Sequence, residues 1–216
     1  MFDNDQKKEI LLNSFEVLKD DAENNSDTLA EIVTKMFAYD KDVAINMWVY
    51  LLDKHQDFIK GESGNILCDY VILGAEKIIN MEEIIEIIAS DNIIKTSIFK
   101  FNGHLFIGAV NIITECIAMD KLSNANEFLE LYYQNKNDSS TYTTLTDILL
   151  EATEKVERKH ENKKRGYERA KRNGNELEYF DSNIDETVQF LYGWSKRIKN
   201  KSDAAKITVA LLKLSK

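Results

Sequence analysis

Apolar residues along this chain recur every three to four positions, the spacing of one helix face, and rarely alternate as strand residues do. Leu29, Ile32, Val33, Met36 and Phe37 form one such face, and Ser26 and Asp27 stand where a cap is expected. A short polar break at 40–42 follows. Residues 43–59 then predict a helix that is apolar on much of its circumference, capped by Asp42 and ended by Gly61-Glu62-Ser63-Gly64. Further helices are predicted over 66–79, 81–89, 92–99, 104–119 and 122–134. The 81–89 run has strand-like β-branched content in Ile84, Ile85, Ile87 and Ile88. Its acidic start at Glu82, Glu83 and Glu86 instead suits the positive end of a helix dipole. Asn102-Gly103 predicts a turn, and Asp120-Lys121 the tip of a helical hairpin.

Beyond a polar linker at 136–141 the pattern changes. A long helix is predicted from about 142 to 172. It is amphipathic at first (Leu145, Ile148, Leu149, Ala152, Val156), then almost wholly charged, and stops at Asn173-Gly174. Ser182, Asp185 and Glu186 mark the start of another helix, and Ser202-Asp203 caps the last. The organisation read here is a helical body (1–135), the linker (136–141), a long amphipathic-to-basic helix with its loop (142–180) and a C-terminal helical pair (181–216). The fold class is all-α, a multi-helix bundle or an irregular α-solenoid. Residues 48–55 look faintly like the Trp-x2-Leu-Gly-x2-Tyr opening of a tetratricopeptide repeat, sharing Trp48 and Leu51. Leu52 and His55 replace its Gly and Tyr, no closing proline follows, and no fixed period emerges.

Composition reinforces the helices. Proline is absent from all 216 residues, and 44% are hydrophobic, enough for a substantial core. Cys68 and Cys116 lie inside apolar runs without nearby partners, which predicts buried free thiols in a reducing, cytoplasmic setting. The most apolar window, 101–119, contains Asn102, His104, Asn111 and Glu115, too polar for a membrane span. Net charge is uneven. Residues 1–150 carry 12 Lys, no Arg and 26 acidic residues, a balance of −14. Residues 151–216 carry 16 Lys and Arg against 11 acidic residues, a balance of +5.

All five arginines lie in that second part, and four of them, Arg158, Arg165, Arg169 and Arg172, fall within about 60° on one helix. With Lys155 they make a basic stripe. Three readings stay open. The stripe is a solvated face held by Glu154–Arg158, Glu161–Arg165 and Glu168–Arg172 pairs, it docks on an acidic protein surface, or it tracks nucleic-acid phosphates. Trp48 and Tyr50 cannot share one helix face, so that helix is central, or one side is a groove for a partner.

Catalytic, cofactor and metal signatures are missing. The chain has no phosphate-binding glycine loop, no nucleophile elbow and no His-Glu-x-x-His. Glu157-x-x-His160 is a single copy on a basic helix, where a di-iron bundle needs two. The expectation is a non-enzymatic protein–protein interaction module, an adaptor, inhibitor or immunity-type protein acting through its acidic surface. Its partner is another protein, for which a basic surface would be complementary, or a second copy. The alternative is a nucleic-acid accessory protein using 155–172. The third is an enzyme without a recognisable motif, in which Glu115, His104, Asp69 and Tyr70 converge.

Overall fold

The computed structural model describes residues 2–59, 62–99, 107–134, 144–173 and 184–214, apart from the side chains of residues 62, 63, 65 and 107. Among them the chain forms helices and no strand. In order these are α1 (Asn4–Leu18), α2 (Ala22–Met36), α3 (Lys41–Lys54), α4 (Gln56–Ile59), α5 (Glu62–Ala75), α6 (Met81–Ser90), α7 (Asn92–Phe99), α8 (Ile107–Ala118), α9 (Leu122–Gln134), α10 (Leu145–Arg172), α11 (Asp185–Ser195) and α12 (Lys201–Leu214). The all-α expectation holds. No helix among the described residues is long and apolar enough to cross a membrane.

Two compact units are present. Unit 1 takes in residues 1–112 and 127–142, and unit 2 takes in 113–126 and 143–216. The predicted linker at 136–141 lies outside the described residues.

In unit 1, α2 packs along α5 and α3 packs on α7. The rows continue. Asp69 on α5 accepts a hydrogen bond from the Gly108 N–H at the start of α8 (2.7 Å), closing an amide that the helix itself leaves open. On the other row, Phe99 of α7 stacks on Phe128 of α9 at 4.5 Å, and Lys95 pairs with Glu127 at 2.6 Å. Helices α2, α5 and α8 and helices α3, α7 and α9 thus form two rows in this unit. Within the first row, α2 and α5 approach closely at Gly74, where a Cβ would lie 2.5 Å from Thr34 Cγ2. Ile84, Ile85, Ile87 and Ile88 are all buried on α6, so the β-branched run is indeed helical.

Several boundaries differ from the pattern. Asp40, not Asp42, caps α3, its carboxylate accepting from the Val43 N–H at 3.1 Å. It sits three residues before that amide, where a side chain reaches it, and it also pairs with Lys8 of α1. The 43–59 helix breaks at His55 (φ −113°, ψ 38°), whose Nε2 meets the Lys19 carbonyl at 2.6 Å. Gly64 is part of α5 rather than of a connection. A Cβ there would fall 2.4 Å from Ile59 Cα, so only glycine lets α5 start against the end of α4. Helix α2 begins at Ala22 and kinks at Asn25, just before the cap expected at Ser26 and Asp27.

Unit 2 packs α10, α11 and α12 against one another. Thr187 donates to Asp120 (3.0 Å), and Trp194 Nε1 donates to Asn126 (3.2 Å), tying α11 to the α8–α9 turn. Asp120 takes φ 62° at that turn, the left-handed conformation that Asp tolerates. Asn200, rather than Ser202, caps α12 by accepting from the Ser202 N–H at 2.9 Å.

Candidate interaction site

Helix α10 has two unlike halves. Its first half opens on a capping box. Thr144 Oγ1 accepts from the Asp147 N–H (3.2 Å), and Asp147 accepts from the Thr144 N–H (2.9 Å). Leu145, Ile148, Leu149, Ala152 and Val156 are buried. At about 100° per residue this face points roughly opposite to Arg158, Arg165, Arg169 and Arg172. All four arginines are exposed, Arg165 and Arg172 at 67% and 78% of their side-chain surface.

The expected Glu-to-Arg pairs form in part. Arg165 meets Glu161 at 3.0 Å, and Arg172 meets Glu168 at 3.8 Å. Arg158 turns its Nε instead to the Glu154 carbonyl at 3.4 Å, and the Glu154–Arg158 ion pair is not made. Arg169 pairs with no carboxylate among the described residues. Lys155 departs from the stripe. It lies 3.1 Å from Glu115 on α8 and 3.6 Å from Glu151, with only 15% of its side chain exposed. Its charge anchors α10 to α8.

This tie was not legible, because nothing in sequence brings position 115 to position 155. It also builds a groove lined by Glu115, Ala118, Lys155, Arg158, Lys159 and Asn162. The α10 members share one side at i, i+3, i+4 and i+7, a signal that was present in the spacing but not read.

Trp48 lies in the core of unit 1, 1% exposed, its Nε1–H meeting no acceptor among the described residues. Tyr50 is half-buried against α1. Its hydroxyl donates to Asp20 (2.7 Å), which raises its pKa, and its ring meets Phe15 edge-on at 6.0 Å. A Trp48 groove wall is therefore not what this fold presents. Of the four residues proposed to form a cryptic site, Asp69 caps α8, Tyr70 is 52% exposed, Glu115 holds Lys155, and His104 lies outside the described residues. Both cysteines are buried, and burial pushes each thiol up to about 12, far from a reactive thiolate. Among the described residues no three His, Cys, Asp or Glu side chains gather as metal ligands.

Comparison with protein-family models, curated proteins and solved structures returned no match.

Proposed function

We propose that this chain is a non-enzymatic, cytoplasmic protein–protein interaction module whose contact element is the basic half of α10. The observation that carries the reading is the exposure of Arg158, Arg165, Arg169 and Arg172 on the face opposite the packed one. Guanidinium groups recognise carboxylates through paired hydrogen bonds, so the fitting partner is an acidic protein surface. Residues 157–172 carry eight basic and three acidic residues, and two copies of this segment would repel each other. A second copy would have to meet this face with its acidic body rather than with its own α10. The acidic first 150 residues supply the complementary possibility, a basic partner met by that body.

Nucleic acid is the second reading. Lys163, Lys164 and Lys171 are exposed on other sides of α10, and charge around the whole circumference suits a polyanion. The interleaved Glu157, Glu161 and Glu168 oppose phosphate contact, which favours protein.

The test uses the full chain and a variant with all four arginines changed to Gln, which keeps helix propensity. A nuclease-treated pull-down should retain an acidic protein on the wild type and lose it on the variant, with helicity by circular dichroism unchanged. If the two baits retain the same proteins, the reading is wrong. Low-salt retardation of RNA or DNA that the variant loses would favour the second reading.

A further inference from the structure

The groove between α8 and α10 is about 350 Å³, and its charges are not equivalent. Lys155 is already matched by Glu115 and Glu151. Among the described residues Arg158 uses only Nε, on the Glu154 carbonyl, and neither terminal nitrogen meets a partner. Lys159 is half-buried and Asn162 exposed, and neither makes a hydrogen bond or ion pair with a described residue. The groove therefore gathers two uncompensated cations and one amide donor on adjacent turns of a single helix. Opposite them, the small side chain of Ala118 leaves space, and Glu115 keeps one carboxylate oxygen beyond the one that meets Lys155.

Two free positive charges fit a dianion better than a single carboxylate, which would leave one cation unmatched. A terminal phosphate carries close to two charges at neutral pH and offers three strong acceptor oxygens. The volume lies at the lower end of small-ligand sites, roughly 300–1,000 Å³. We infer that this groove binds the phosphomonoester of a small hydroxyl-bearing molecule, such as a sugar phosphate or a mononucleotide. The phosphate sits between Arg158, Lys159 and Asn162. The Glu115 carboxylate accepts from a ligand hydroxyl or amine at the other end. Arg158 belongs to both sites, but Arg165, Arg169 and Arg172 lie beyond the groove, so binding here is separable from the protein-docking reading.

The experiment titrates the full chain with ribose 5-phosphate, adenosine monophosphate, inorganic phosphate and adenosine, followed by calorimetry and amide chemical shifts. The two organic phosphates should bind more tightly than inorganic phosphate or adenosine, and should shift amides near 115–118 and 155–162. R158Q and K159Q should each weaken binding about tenfold or more. R169Q and R172Q remove the same charge about 15 Å or more farther along the helix and should change it less than about twofold. Equal weakening by all four variants would reduce the effect to diffuse surface charge and overturn the site. So would adenosine binding as well as its phosphate, or inorganic phosphate binding as well as the organic esters. Binding by an oligonucleotide but by none of these small phosphates would move the phosphate to a polymer and also overturn it. Loss of protein docking in R165Q, R169Q and R172Q with phosphate binding intact would separate this site from the docking face.

Discussion

Residues 145–156 and 157–172 belong to the same helix and are helical for different reasons. The first half is held by burial. Leu149 and Ala152 are fully covered, and the helix is an outcome of packing. The second half has no buried residue, and the ion pairs along it are local. Glu161–Arg165 and Glu168–Arg172 contribute only about 0.2–0.5 kcal/mol each, and Gly166 costs about 1 kcal/mol of helix propensity. A helix can thus be specified by its surroundings or by its own neighbours, and only the second kind leaves its side chains available to something else.

The largest expected effect tests the packed half. Leu149→Ala should destabilise the protein by about 2–5 kcal/mol in denaturant unfolding, whereas Arg165→Ala should cost less than about 1 kcal/mol. Similar losses from both would mean that the basic half is packed too. Next come two glycines in opposite settings. Gly74 faces Thr34, so Gly74→Ala should cost about 1–3 kcal/mol through the clash between α2 and α5. Around Gly166 a Cβ would meet nothing within 4 Å, so Gly166→Ala should stabilise the helix locally by about 0.5–1 kcal/mol. That gain should appear as slower amide exchange over 160–172 with little change in the global midpoint. A rise in the global midpoint instead would couple the basic half to the core.

The smallest effect concerns a charge acting between helices. The bond from Lys8, followed by the Val43 amide, holds the Asp40 carboxyl below the usual carboxylate range. A lowered folded pKa gives stability that is present above the ordinary value near 4 and is lost as pH falls through the lowered one. Asp40→Asn should therefore be less stable than wild type at pH 7, and the difference should shrink towards pH 2. A difference that is constant over that range would show that the charge of Asp40 does not contribute to stability.

Much of this was written in the spacing of residues. The apolar faces gave the helices, and the intervals of 7, 4 and 3 gave the arginine stripe. What the spacing lacked was contact between distant segments. The spacing pointed to Asp42 as the cap, whereas Lys8 and the Val43 amide select Asp40. The break at His55 carries no glycine or proline, and a carbonyl of the α1–α2 turn holds it. The two rows of unit 1 leave no constant period in the sequence, because α4 and α6 fall between their helices. Half of the groove was on α10 all along, whereas its other wall, Glu115 and Ala118, is forty residues away by sequence.

Each unit contains one of the two tryptophans. Trp48 sits in unit 1 in an apolar setting, whereas Trp194 of unit 2 donates to Asn126 and lies 4.0 Å below the Arg197 guanidinium. Trp194→Phe would thus leave an intrinsic fluorophore in unit 1 alone, and Trp48→Phe one in unit 2 alone, so that unfolding of each unit can be followed separately.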